Sequence, residues 1–153
     1  MALQSTYSAT QPVATAGMVA NERDWDGITR LVETAAGIGF GLAVGSGTGD
    51  TQAVLGGALT IFLGVSMKDV TLVHSVADTD KYVETENMGI FTKGEIWVQV
   101  TGTPGPADPV HYDATSGVFA ASGGTGPVRG ARWAETSANG LGRLFLSGDG
   151  QAA

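Results

Sequence analysis

The spacing of glycine is the feature that most restricts what this chain can fold into. The sequence contains 24 glycines, whereas an average usage of about 7% would give about 11. They occur singly or in pairs between short apolar segments and are not gathered in one linker. Because glycine destabilises helix interiors and is frequent in turns, this spacing predicts an all-β domain with many turns. At most a short helix fits, near residues 55–63.

Period-two alternation of apolar residues marks the strands. It is clearest in "GEIWVQVTG", residues 94–102, where Ile96, Val98 and Val100 share one face and glycines bound both ends. Further strands are predicted at residues 28–33, 68–75, 83–92, 110–112, 129–135 and 142–146. Connections rich in Pro, Gly and Asp separate these segments, so we expect a small β-barrel or β-sandwich.

The stretch "GIGFGLAVGSGTGD", residues 37–50, has the glycine density of a phosphate-binding loop. A Walker A loop needs a Gly-Lys pair, and the sequence contains none. The dinucleotide fingerprint needs a third glycine at its sixth position, where Leu42 and Asp50 stand in the two possible alignments. The stretch is therefore not predicted to bind a nucleotide.

We interpret the same stretch as a buried strand followed by a surface turn. Gly39 and Gly41 would form a bare face that lets another backbone approach closely, and the glycines of residues 45–50 would supply positive φ angles. The large residues of the opposite face are predicted to enter the core: Ile38, Phe40, Leu42 and Val44.

Charge and composition exclude several classes of function. The net charge of −7 repels polyanions, so no nucleic-acid partner is expected. The absence of cysteine excludes disulfides, thiolate metal ligands and cysteine nucleophiles. His74 and His111 lie far apart in sequence, and "DTDKYVETENMG" lacks the glycine and the glutamate of a calcium loop. We therefore expect no metal and no cofactor.

Catalysis and membrane insertion are not expected either. No Gly-x-Ser-x-Gly elbow occurs, and Asp24 and Asp26 around Trp25 are interpreted as an exposed charged turn, not as a glycosidase pair. The apolar run at residues 53–65 is shorter than the roughly 20 residues of a membrane span. The N-terminus lacks the basic and apolar regions of a signal peptide, which predicts synthesis in the cytoplasm.

The first 21 residues differ from the rest, since they are rich in Ser, Thr and Ala and carry no charged side chain. Two interpretations remain open: a disordered terminus, or an arm that becomes ordered by adding a strand to a neighbouring protein. The expected organisation is an arm at residues 1–21 and one compact β domain at residues 22–153.

The order of segments resembles the structural cement, or capsid decoration, proteins of tailed double-stranded DNA bacteriophages. The resemblance covers nearly the whole chain. It rests on an N-terminal segment that ends in "AGMVAN" and on four later pieces: "GFGLAV", "IFLGVSMKDVTL", "YVETENMGIFTKGEIWVQVTG" and "GARWAETSANGLGRLFLS". One departure is "TPGPADPVHYD", where prolines crowd a turn that is commonly Gly-Asp in the family.

The resemblance implies a compact β domain that sits on the capsid exterior, often as a homotrimer, and bridges major capsid protein subunits. It supplies no catalytic residue. The candidate interaction residues are apolar positions of the arm and the three tryptophans: Leu3, Tyr7, Val13, Met18, Val19, Trp25, Trp97 and Trp133. Two alternatives remain, a phage tail or fibre component and a carbohydrate-binding β module in which the tryptophans stack on sugars.

Overall fold

The computed structural model describes residues 12–57, 61–72 and 80–148, and every regular element within these ranges is a β-strand. The strands in chain order are β1 Val19–Val32, β2 Ile38–Gly39, β3 Ala43–Ser46, β4 Gln52–Leu55, β5 Phe62–Ser66, β6 Lys81–Tyr82, β7 Asn87–Gln99, β8 His111–Tyr112, β9 Phe119–Ala120, β10 Ala131–Trp133 and β11 Leu141–Ser147. The predicted all-β class is confirmed. Most of the predicted arm lies outside the described residues.

Five strands close into a small barrel. The hydrogen-bonded order runs β1-β4-β3-β5-β7, and β1 also pairs with β7, which completes the ring. The β1–β4 contact is parallel and short, whereas the other four contacts are antiparallel. Strands β11 and β10 extend the sheet from the second half of β7. Two separate pairs, β2 with β6 and β8 with β9, lie outside this sheet.

The core divides into two apolar clusters that share β7. One is built around Phe91, Ile96, Val98 and Trp133, and the other contains residues such as Ile90. As predicted, the alternating apolar residues of residues 94–102 are buried. Strand β7 therefore contributes buried side chains to both clusters of the core.

The predicted strand at residues 68–75 is wrong over its described part. Residues 68–72 form no strand, because the Asp69 carboxylate accepts hydrogen bonds from the Thr71 N–H at 2.8 Å and from its hydroxyl at 2.6 Å. These bonds fix a local turn in place of a ladder and hold the pKa of Asp69 below its ordinary value. Val70 is 83% exposed at the turn. His74 and Ser75 lie outside the described residues.

The strand predicted at residues 83–92 begins later than expected, at Asn87. Residues 83–86 form a turn in which the Glu86 carboxylate accepts a hydrogen bond from the Val83 N–H at 3.0 Å. Thr85 has a φ of 67°, outside the β region. The period-two pattern of apolar residues does not indicate this turn, because the hydrogen bond that closes it is accepted by the side chain of Glu86.

The stretch at residues 37–50 forms two strands instead of one. A turn at Phe40 to Leu42, with a φ of 70° at Gly41, separates β2 from β3. The burial prediction is confirmed, because the four large residues named for this stretch are at most 8% exposed.

The turn after β3 is confirmed, but the predicted positive φ angles are wrong: none of Gly45, Gly47 and Gly49 adopts one. The Glu33 carboxylate instead accepts bonds from the Thr48 N–H at 2.7 Å and hydroxyl at 2.5 Å. These bonds lower the pKa of Glu33.

Candidate interaction surface

The base of the N-terminal segment is locked onto the barrel by two facing glycines. The Gly17 N–H donates to the Trp97 carbonyl at 2.7 Å, and the Gly17 carbonyl accepts from the Lys68 N–H at 2.8 Å. A Cβ on Gly41 would lie 2.7 Å from the Cβ of Ala16 and 2.8 Å from the nitrogen of Gly17. The close approach predicted for Gly41 is confirmed, and the approaching backbone is the chain's own.

This anchoring shapes an open groove of about 850 Å³ beside the segment. Residues 12–16 form one wall, residues 135–141 contribute to the other, and Trp97 contributes its half-buried side chain. Val13 is 87% exposed on the first wall. The groove therefore offers apolar contact area together with the polar groups of residues 135–139.

The outer face of β7 and β11 continues from this groove and mixes ionic and aromatic groups. Arg143 lies between two carboxylates, 3.7 Å from Glu95 and 3.5 Å from Glu135. The Arg132 guanidinium lies 4.5 Å from the centre of the Phe145 ring, a cation–π distance. Aromatic and arginine side chains are enriched in protein–protein interfaces. We call the groove and this outer face together the β7 surface.

The structure brings part of the predicted set together. Val13 and Trp97 line the same groove, and Met18 adjoins it, since its carbonyl accepts a hydrogen bond from the Trp97 N–H at 2.9 Å. The Met18 side chain is 43% exposed. Leu3 and Tyr7 lie outside the described residues.

The other predicted residues lie elsewhere. Val19 is half-buried against the core in β1 and pairs with Ile96. Trp25 is 41% exposed and stacks on Phe91, with ring centroids 5.9 Å apart and an angle of 12° between the planes.

Trp133 is only 1% exposed, and its indole N–H donates to the Pro109 carbonyl at 3.2 Å. A sugar-stacking platform needs exposed ring faces. Trp133 therefore belongs to the core, and the three tryptophans do not form one platform.

Sequence reasoning missed the charged and aromatic members of the β7 surface. The strand at residues 142–146 was predicted, but its outward residues were not singled out. Leu141, Arg143 and Phe145 alternate with three buried or small residues, and that alternation is the signal that would have identified them. The two carboxylates that face Arg143 come from other segments, Glu95 from β7 and Glu135 from the residues after β10, so the sequence of β11 alone does not indicate them.

Within the described ranges, no group of three or more His, Cys, Asp or Glu side chains is arranged to hold a metal ion. The same residues contain no helix that is long and apolar enough to cross a membrane.

The comparisons with known proteins identify the family. The family model described as "Structural cement protein (E217 gp24/Pam3 gp6)" matches residues 3–147. The chain therefore belongs to the structural cement protein family. It is a capsid decoration protein that binds and stabilises a phage capsid and is located in the virion.

A solved structure titled "The capsid of Myoviridae Phage XM1" contains a chain of the same fold. The TM-score is 0.74 at 16% sequence identity, and the match covers 96% of this chain and 98% of that chain. The comparison with curated proteins finds no match.

Proposed function

We propose that this protein binds the outer surface of a phage head and bridges neighbouring major capsid protein subunits. The observation that carries the proposal is the family match over residues 3–147. Because the match spans nearly the whole chain, the barrel and the segment before it are the functional unit. The protein would act after synthesis in the host cytoplasm, by binding alone, with no catalytic step and no cofactor.

The β7 surface is the proposed contact with the capsid protein. Its groove exposes Val13 and part of Trp97, which supply apolar area. Arg143, Glu95 and Glu135 supply charges of both signs at its edge. Apolar area stabilises a contact and the charges select its orientation.

The N-terminal segment is proposed as an arm at residues 1–21, with the β domain at residues 22–153. The described part of the arm supports different roles for its two ends. Gly17 is tied to two strands by backbone bonds, so the residues after Ala14 hold the arm to its own barrel. Leu3 and Tyr7 are proposed to contact the capsid or an adjacent protomer.

Bridging stabilises a shell by linkage. A protein that binds the assembled shell more tightly than the separated subunits shifts the equilibrium toward the assembled state. Each contact need not be strong, because several attachments on one oligomer raise the effective concentration of the next. The homotrimer implied by the family resemblance would supply such attachments. A solution mass of three times 15.5 kDa is expected, and the mass of one chain would contradict the trimer.

The decisive experiment is co-sedimentation of purified protein with expanded capsids that lack it. We expect Val13→Glu to weaken binding at least about tenfold, because it places a charge in an apolar contact. Val70→Glu is the matched control, since Val70 is equally exposed but lies on a turn outside the groove. Equal binding by both variants would remove the groove from the interface, and failure of the unaltered protein to sediment would overturn the proposed function.

A truncation tests the arm separately. Removing residues 1–11 leaves the groove residue Val13 and the backbone bonds of Gly17 in place, so the barrel should keep its thermal midpoint within a few degrees. We expect capsid binding to fall by about tenfold or more if Leu3 and Tyr7 make contacts. Unchanged binding by the folded truncated protein would contradict the arm proposal.

A further inference from the structure

Strand β1 has an open edge over much of its length. Residues 21–29 are all exposed, although they belong to a strand that pairs with β7. On its other side, β4 reaches β1 only at Leu31 and Val32. The segment at residues 26–30 therefore has one neighbouring strand among the described residues, and its second edge is uncovered.

The hydrogen-bond pattern shows which backbone groups face the open edge. The Val32 N–H donates to Glu86 on the β7 side, whereas the Leu31 N–H donates to Thr51 on the β4 side. Successive residues of a strand alternate in this direction. Gly27 and Thr29 share the direction of Leu31, so their N–H and C=O groups point outward.

Two side chains on this segment carry opposite charges and form no ion pair within the described ranges. Ile28 and Arg30 lie on one face, because β1 keeps a regular register from Gly27 to Leu31. The register shifts between Asp26 and Gly27, but the extra residue there is Thr92 of β7, so β1 itself continues its alternation and Asp26 falls on the same face. Neither the Asp26 carboxylate nor the Arg30 guanidinium has a hydrogen bond or ion pair with any described residue. Lys93, which lies opposite Asp26, forms its ion pair with Asp24 at 3.0 Å, and the Asp26 charge makes a smaller contribution to the raised pKa of Lys93.

We propose that this edge pairs with the same edge of a second copy of the chain, antiparallel, with Ile28 opposite Ile28 of the second copy. Gly27 then lies opposite Thr29 of the second copy, and Thr29 opposite Gly27. These outward-facing residues exchange two hydrogen bonds per pair, four in all. Asp26 and Arg30 face each other twice, and cross-strand pairs of opposite charge stabilise a sheet.

The charges favour this register over its neighbours. A shift by two residues in one direction places Asp26 opposite Val32 and Arg30 opposite Ile28, which leaves both charges facing apolar side chains. A shift in the other direction places Asp26 opposite Ile28 and Arg30 opposite Asp24, which already binds Lys93. The segment is thus complementary to itself in one alignment.

The contact relates two copies by a two-fold axis, because each copy uses the same residues. It therefore joins copies in pairs and does not itself close a three-membered ring. In a trimeric protein it links one trimer to the next. Such a lateral link would hold neighbouring copies together, apart from any contact with the capsid protein.

Disulfide formation from a single introduced cysteine tests the register directly. The chain contains no cysteine, so Ile28→Cys is the only thiol in the variant. Cα atoms of a directly opposed pair without hydrogen bonds lie about 4.5 Å apart, within the range of a disulfide. Under mild oxidation we expect Ile28→Cys to form a covalent dimer at least about tenfold faster than Val70→Cys, which is exposed away from the edge. Equal rates for the two variants would overturn the proposal.

A charge exchange in the Ile28→Cys protein tests the Asp26–Arg30 pairing. Arg30→Asp replaces two attractions by two repulsions and should slow dimer formation about tenfold. Adding Asp26→Arg to the same chain restores opposite charges and should restore the rate, which a merely local structural effect would not do. The same slow rate in the double variant would contradict the register.

The outcomes separate this contact from the proposed function. If purified Ile28→Cys fails to dimerise but capsids protect its thiol from alkylation, the edge binds another protein and the proposal is wrong. Capsid binding by the unaltered protein is measured independently. The proposed pairing of β1 edges can therefore be contradicted while capsid binding is confirmed, and the reverse is also possible.

Discussion

Two consecutive segments of this chain are held in opposite ways. Residues 14–18 have backbone hydrogen bonds to Trp97 of β7 on one side and to Lys68, just after β5, on the other. Residues 26–29 pair with β7 and with no other described strand, and residues 21–29 are exposed throughout. The difference follows from what lies beside each segment: Gly41 admits a backbone next to the first, whereas β4 begins too late to cover the second. Bound strands add to the core, and open edges are available for a further strand.

The largest expected loss of stability comes from filling the space between Gly41 and residues 14–18. Gly41→Val places a branched side chain against Ala16 and Gly17, at a φ of 70° that valine strongly disfavours. We expect a loss of about 3 kcal/mol in unfolding free energy, measured by denaturant unfolding. Gly39→Ala is the control, because the nearest atom to its Cβ would be the side-chain end of Leu42 at 3.3 Å, and the nearest backbone atom would be the Asp80 carbonyl oxygen at 4.0 Å. A similar loss in both variants would show that close approach at Gly41 is not the cause.

A smaller loss is expected from Ser66, which fixes the turn that carries Gly41. Its buried hydroxyl donates to the Gly39 carbonyl at 2.7 Å and accepts from the Leu42 N–H at 3.0 Å. Ser66→Ala leaves buried polar groups unpaired and should cost about 2 kcal/mol. Ser46→Ala removes a single longer bond to Ile61, 3.3 Å, near the surface, and should cost about 0.5 kcal/mol or less. Equal losses would argue against a special role for this turn.

The exposed segment should respond less to the loss of its largest side chain. Trp25→Ala removes a ring that stacks on Phe91 but is 41% exposed, so we expect a loss of about 1 kcal/mol by thermal unfolding. Trp133→Ala, in contrast, empties a fully buried site and should cost several times more. If Trp25→Ala proved the more damaging variant, the exposed segment would be part of the core.

The smallest effect is expected from the ion pair of the exposed segment. Asp24 raises the pKa of Lys93, so the contribution of the pair is present below the ordinary pKa of lysine and is lost as the pH rises above it. At neutral pH, Asp24→Asn should leave the unfolding midpoint unchanged within error, because exposed pairs contribute little. Asparagine tolerates the φ of 55° at this position. A weaker fall in stability above pH 10.5 in the variant would confirm the assignment, and a large loss at neutral pH would contradict it.

Prediction from sequence succeeded where side-chain alternation and burial coincide. The strand containing Ile96, Val98 and Val100 was identified because a period of two places one face in the core. It failed at Asp69 and Glu86, whose carboxylates accept N–H bonds from residues two and three positions away. It also failed at Glu33, whose carboxylate accepts the Thr48 N–H across the turn and replaces the expected glycine conformations. Alternation does not register such bonds, since they depend on one side chain reaching a particular backbone group.

The candidate surface was only partly predictable for a related reason. Val13, Met18 and Trp97 are recognisable as apolar residues without a core assignment, but Trp133 has the same chemistry and is buried. Whether a tryptophan is exposed depends on which face of its strand it occupies and on which other segments cover that face. Arg143 gains its two carboxylate neighbours only when β7 and β11 pair.

The sequence by itself determined the all-β class, the apolar alternation of β7, the need for close approach at Gly41 and the family. The first three are local properties, set by the conformational range of glycine and by the two-residue period of a strand, whereas the family resemblance rests on the order of segments along the chain. Only the tertiary structure decided that Gly17 is the group facing Gly41, and that β4 leaves Gly27 and Thr29 uncovered. Both facts depend on which strands become neighbours when the barrel closes, and that is set by packing between segments far apart in the chain.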